Sequence, residues 1–164
     1  MSDIPAEHIA DSHELVADGV IELFELTPSG GSGTIYFKAD NDQPWRGKTY
    51  EGVPLGMSGE KKTIDTGLTM PKMTIGNGAI DLSPFKPLVH DGYLDNAIIF
   101  RRRVLSDNII NNRLIFEGTM YRVKRVEEYS RVRIILQLAT LSDSLGFSMP
   151  YRQYLPPAFP SVQM

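Results

Sequence analysis

The chain of 164 residues has no cysteine, one tryptophan and three histidines. The first absence removes disulfides, thiolate metal sites and a thiol nucleophile together, and it leaves the redox compartment unread. Long apolar runs are missing as well. No segment approaches the ~20 apolar residues of a membrane span, so no membrane insertion is expected. The opening MSDIPAEHIADSHELVADG has neither the basic start nor the apolar middle of a secretory leader. Surplus positive charge is lacking too: 17 Lys and Arg stand against 20 Asp and Glu, for a net charge of −3. Specific nucleic-acid binding is therefore not expected, because phosphate recognition draws on clustered excess cations. The remaining composition, 41% hydrophobic and 23% charged, is that of a chain able to bury one ordinary core.

The pattern along the chain reads mostly as strands. Residues 3–16 offer Asp3 as a cap, Pro5 near a first turn and a thin stripe of Ile9, Leu15 and Val16, which predicts a peripheral helix. VIELFEL (20–26) and TIYFKAD (34–40) flank the glycine-rich connection TPSGGSG, and no Lys-Ser/Thr pair follows those glycines to make a phosphate loop. MPKMTIGNG (70–78) reads as a strand closed by an Asn-Gly turn. After it, Ser83 as a cap, Pro84 at the first helical position and Pro87 permit one or two helical turns. NAIIFRRRVL (96–105) is a further strand. The segments 113–129 and 131–141 form a hairpin in which Val132, Ile134, Leu136 and Leu138 alternate with Arg131, Arg133, Ile135 and Gln137. The tail from Gly146 to Met164 is too rich in proline for a central strand and suits an extended arm. An all-β fold follows: an antiparallel sandwich or barrel of seven or eight strands, with a peripheral N-terminal helix and a short inserted helix. The expected divisions are 1–17, 18–145 and 146–164.

One stretch, PWRGKTYEGVPLG (44–56), holds the only tryptophan. With Gly47 and Lys48 as the central residues of a type II′ turn, Arg46 faces Thr49 and Trp45 faces Tyr50, an aromatic clasp worth roughly 0.5–1 kcal/mol beyond buried area. Pro54 then ends the ribbon or occupies an edge. The alternative use of Trp45 and Tyr50 is a stacking platform for a sugar, as in a carbohydrate-binding module. Arg101, Arg102 and Arg103 form a basic run, with Arg122, Lys124, Arg125, Arg131 and Arg133 further on. Strand alternation splits the run between two faces, and Glu117, Glu127 and Glu128 invite cross-strand pairing.

Catalytic patterns are weak. His8 and His13 are about 140° apart on a helix and cannot share a metal unaided, and His90 stands alone. GMSGE (56–60) lacks the second glycine of a nucleophile elbow and reads as a polar loop. Asp65, Asp81, Asp91 and Asp95 are scattered through turns, so a carboxylate-pair hydrolase acting on cell wall has no selected pair. No catalytic residue, metal or cofactor is expected.

Two motifs in sequence carry a resemblance. Trp45, Gly47, Tyr50, Pro54, Leu55 and Ser58-Gly59 are followed by Pro71-x-Met73-Thr74-Ile75-Gly76-Asn77. In order and spacing this resembles the N-terminal β-domain of the phage minor tail protein L family of lambda-like siphophages. Phe100 to Val104 stands where that family has a Val-Arg-Arg strand, and Pro150-x-Arg152 matches its exit from the last hairpin. The likeness spans roughly residues 18–152. It implies a non-enzymatic tail-tip protein of the virion, assembled in the host cytoplasm as a homo-oligomeric hub ring, trimeric or hexameric. The implied neighbours are the distal tail or tube protein, the tape-measure protein and the central receptor-binding protein. Longer members continue into a cysteine-rich domain that holds an iron–sulfur cluster; with no cysteine here, that cluster is not carried over. In its place stands the arm, with Pro150, Tyr151, Arg152, Tyr154 and Phe159 as the residues expected to dock on a neighbour.

Overall fold

Strand β1 (Val20–Thr27) is buried on both sides, which sets the plan of the molecule. Phe24 and Leu26 point into one apolar cluster and Leu23 into another on the opposite face. Full alternation of apolar and polar residues would have allowed one wet face; VIELFELT, with Leu23 and Phe24 adjacent, does not. The computed structural model describes residues 4–11, 19–30, 33–59, 70–76, 85–130 and 133–140.

Around β1 the described chain forms one mixed sheet. β2 (Ile35–Ala39) and β7 (Ile98–Leu105) pair antiparallel with its two sides. β7 continues to β8 (Glu117–Tyr129), β9 (Arg133–Thr140), β6 (Lys72–Gly76) and β5 (Leu55–Ser58), while β2 leads to β4 (Lys48–Val53) and β3 (Gln43–Trp45). The order is thus β3-β4-β2-β1-β7-β8-β9-β6-β5. β4 and β5 lie toward opposite ends of that order, yet Pro54 alone separates them in sequence. Consecutive residues cannot be a sheet's width apart, so the sheet must roll until its ends meet. β2 touches β5 at the seam, and the Gly76 N–H donates to the Pro54 carbonyl at 2.7 Å.

The main core fills the inside of the roll, with Phe24, Phe37, Met73, Ile75, Ile99, Tyr121, Ile134, Leu136 and Leu138 all buried. Phe24 and Phe37 stack at 5.6 Å, and Phe85 meets Phe37 edge-on at 5.5 Å. Helix α2 (Lys86–His90) lies against this core through Leu88 and Val89. A bulge in β8 between Val123 and Arg125 keeps both Val123 and Val126 directed at the core although they are three residues apart, and a second bulge follows between Val126 and Glu128.

The all-β fold is as the sequence implies, with several differences in detail. Nine strands are described rather than seven or eight. β2 and β4 run parallel, because the chain crosses from β2 to the outer hairpin before returning. GMSGE is not wholly a loop: Gly56, Met57 and Ser58 belong to β5, where Met57 packs on the core. α2 begins at Lys86 with Phe85 as its N-cap and Pro87 within its first turn, so the start is set by burial of Phe85 rather than by a hydroxyl cap. An unforeseen helix, α3 (Ser106–Ile110), follows β7 and buries Asn108 and Ile109. The predicted N-terminal helix is described as α1 (Ala6–Asp11), tied to α3 by a 3.1 Å hydrogen bond from the Asn108 amide to Glu7. Ser83, Pro84, His13, Asp65, Asp81, the Asn77-Gly78 turn and the whole arm 146–164 lie outside the described residues.

The β2–β4 crossing leaves no room at Gly52. A Cβ there would stand 1.9 Å from the Asp40 carbonyl oxygen, whereas one at Gly56 would meet nothing within 4 Å. The Gly52 N–H also donates to the Asp42 carboxylate at 2.7 Å, holding the two segments together. Gly52→Ala is expected to lower unfolding free energy by about 1–3 kcal/mol, as overpacked sites do, and Gly56→Ala by less than about 1 kcal/mol; urea melts of the pair check this.

Candidate functional site

The outer face of β1, β2 and β7 is covered by the β3–β4 hairpin and the 106–116 segment, and of the residues singled out in sequence Trp45, Tyr50 and Arg102 come together there. In the hairpin Gln43 faces Tyr50, Pro44 faces Thr49 and Trp45 faces Lys48. The turn residues are therefore Arg46 and Gly47, with φ of +54° and +74°, a type I′ turn and not the expected type II′. Two left-handed residues in succession match the twist of the ribbon, and Gly47 accepts its share freely. Arg46 is held in place by Asn112, whose side-chain oxygen accepts its backbone N–H at 3.2 Å and whose carbonyl accepts a guanidinium bond at 3.4 Å.

This register moves the expected Trp45–Tyr50 pair from directly opposite to diagonal. The rings still lie on one face, 6.4 Å apart and tilted by 45°. Each ring also has a second aromatic neighbour: Trp45 meets Phe116 edge-on at 6.3 Å and Tyr50 meets Tyr36 at 5.5 Å. Together with Leu23, Val104 and Ile109 they form the second core. Trp45 is 4% exposed and Tyr50 0%. Neither ring can serve as a platform for a sugar, which removes the carbohydrate-binding alternative.

Beneath these rings sits a carboxylate that sequence reading missed. Glu25 Oε1 accepts from the Tyr50 hydroxyl at 2.7 Å, Arg102 Nε at 3.1 Å and Lys48 Nζ at 3.2 Å, and Oε2 accepts from Arg102 Nη2 at 3.2 Å. The Arg102 guanidinium also lies over the rings of Phe100 and Phe116, and Lys48 over that of Tyr36. Burial by itself would raise the Glu25 pKa. The hydrogen bonds from Arg102 and Tyr50, the Arg102 charge and the Lys48 bond outweigh it, so the carboxyl is held below its ordinary value. Burial, then the bond to Glu25 and its charge, push the Tyr50 hydroxyl well above the usual phenol range. The pairing of β1 with β7 is what would have revealed Glu25, since it sets this residue opposite Phe100, next on that face to Arg102.

The arginine run is split as alternation requires. Arg101 and Arg103 share the inner face, where both reach Glu22, and Arg103 also meets Glu117 at 3.0 Å. Glu127 and Glu128 find Lys72 and Arg133, at 2.7 and 2.8 Å. His8 is on α1 and His90 on α2, where the latter meets the Tyr129 ring. Among the described residues no three His, Asp or Glu side chains come close enough to hold a metal.

The two sequence motifs lie side by side: β5 of the first pairs antiparallel with β6 of the second from Leu55–Ile75 to Ser58–Lys72, and the Pro54–Gly76 hydrogen bond at the seam extends that pairing. A Cβ on Gly76 would lie 3.1 Å from the Pro54 ring. No family model and no curated protein matches the chain. Among solved structures, a chain in the virion of a native gene transfer agent particle superposes with a TM-score of 0.59 at 18% identity, over 93% of this chain and 50% of that one. The two share a fold. The present chain spans half the length of that virion chain.

Trp45→Ala is expected to cost about 3–5 kcal/mol of stability, as loss of a buried large aromatic does. Glu25→Gln should cost about 1.5–3 kcal/mol at neutral pH. Because the folded Glu25 pKa is lowered, its contribution is complete above the unfolded carboxyl pKa and is lost as pH falls through the folded value; the gap between wild type and Glu25→Gln should start to narrow only below the ordinary carboxyl range and close at more acid pH. On the alkaline side, the raised Tyr50 pKa means that wild type loses stability above about pH 10, and Tyr50→Phe should flatten that limb. Chemical denaturation across pH checks both.

Proposed function

We propose that this protein is a structural component of a phage virion, a tail-tip protein whose copies form a hub ring joining the distal tail tube to the central receptor-binding protein. The observation that carries the reading is the fold held in common, over nearly the whole chain, with a chain of a gene transfer agent virion. The motifs Trp45 to Gly59 and Pro71 to Asn77 support the finer assignment through their resemblance to the minor tail protein L family. Their meeting at the Pro54–Gly76 bond is consistent with a single structural signature.

The architecture suits assembly. The rolled sheet ends in two short edges, a three-residue β3 containing Pro44 and a four-residue β5, so little free edge invites uncontrolled strand addition. The hub domain is residues 18–145 in this reading. The arm 146–164, with Pro150, Tyr151, Arg152, Tyr154 and Phe159, supplies contact with a neighbouring subunit at no cost to the core. A three-fold ring is the primary form and a six-fold ring the variant.

Mass spectrometry of purified particles, with immunogold electron microscopy, tests the role. The protein is expected at one end of the tail in a few copies, and disruption of its gene is expected to leave heads without functional tails. Its absence from purified tails sinks the proposal.

A further inference from the structure

Most described cations on the sheet have a carboxylate: Lys48 and Arg102 share Glu25, Arg101 and Arg103 share Glu22, Lys72 has Glu127 and Arg133 has Glu128. β8 departs from this. Among the described residues Arg122 and Arg125 have no carboxylate partner, the Arg122 Nε is buried without an acceptor, and Lys124 reaches only the Met70 thioether at 3.6 Å. A buried guanidinium N–H with no acceptor, on an arginine with no carboxylate partner among the described residues, is an arrangement that folding alone does not favour.

The backbone gathers these groups. Arg122 opposes Ala139 and Arg125 opposes Gln137, residues two apart on β9, because the bulge takes up Lys124 as an extra residue. Without it, Arg122 and Arg125 would point to opposite faces; with it, both point outward. Beside them on that face lie Ile98, which is opposite Arg122, and Met120, at 37% and 43% exposure. Cations interleaved with apolar side chains suit a protein surface better than a phosphate backbone.

A complementary surface exists on this same chain. The turn after α2 exposes Asp91, Tyr93 and Asp95, and neither carboxylate has a partner among the described residues. The turn is rigidly mounted: the Ser29 N–H donates to the Tyr93 carbonyl at 2.9 Å, the Asn96 N–H donates to Val123 at 2.9 Å, and the Tyr93 ring lies against Gly30. The geometry points to a contact between copies, in which the Asp91–Asp95 turn of a second copy docks on the Arg122–Arg125 stripe, its carboxylates on the cations and its tyrosine on Ile98 and Met120. This rests on the ring-forming reading above and names the surfaces that would make it.

Sedimentation of the full chain at low and high salt tests the contact. Self-association is expected at low salt and should weaken as salt screens the pairs. Arg122→Glu with Arg125→Glu, and separately Asp91→Lys with Asp95→Lys, should each weaken association at least about tenfold, and mixing the two variants should restore it. Thermal melts and circular dichroism establish that each variant is folded; Arg122→Gln with Arg125→Gln replaces the charge reversal where it is not. Association unchanged by either pair of substitutions, no rescue on mixing, or duplex DNA bound through these arginines in place of a second copy overturns the proposal. Particle composition distinguishes the failures: a protein present in tails but insensitive to these substitutions defeats this contact alone, and a protein absent from tails defeats the functional reading.

Discussion

Pro54 is the constraint on which the rest depends. It joins β4 to β5 in a single residue although these strands lie toward opposite ends of a nine-strand order, and chain connectivity therefore obliges the sheet to roll. Proline suits the joint because it has no N–H to leave unpaired where the ladder breaks. Its carbonyl is satisfied by Gly76, and Gly76 has no side chain to keep the proline ring away. Once the sheet is rolled, its inside holds the main apolar core, with the Glu22, Arg101 and Arg103 cluster on the same face.

The outside of the roll is partly covered as well, by the β3–β4 hairpin and the 106–116 segment, and this second layer is held differently. Its apolar contacts come from Trp45, Tyr50, Tyr36 and Phe116, but a charge network lies beneath them with Glu25 at its centre. The carboxylate accepts from three side chains on two strands, so it links the hairpin to the central sheet through directional bonds. The arrangement converts an aromatic pair, which in sequence looks like a ligand platform, into interior structure.

What was legible in the sequence was whatever depends on near neighbours. The alternation in 131–141 identified the inward residues Ile134, Leu136 and Leu138, and the segments of β1, β2, β7 and β8 could be read directly. The hairpin at Arg46-Gly47 was legible as a hairpin but not in its register, because a single glycine fits either position of a two-residue turn and Asn112, 66 residues away, supplies the support that decides between them. α3 is not legible because SDNII is too short to display a period, and its place is set by burial of Ile109 and Asn108. β5 read as polar loop because only Leu55 and Met57 face the core in a stretch otherwise made of glycine and serine.

The sequence by itself determined the class of the molecule: an all-β domain without thiol chemistry, and an arginine run divided between two faces. These follow from composition and from the two-residue period of a strand, which need no knowledge of partners. Only the tertiary structure decided which strands are neighbours, and with that the parallel β2–β4 pair, the pairing of Glu25 with Arg102 and the meeting of two motifs at Pro54 and Gly76. Each of these is a contact between residues distant in sequence, and a distant contact is selected by the packing of the whole sheet and not by the local pattern on either side of it.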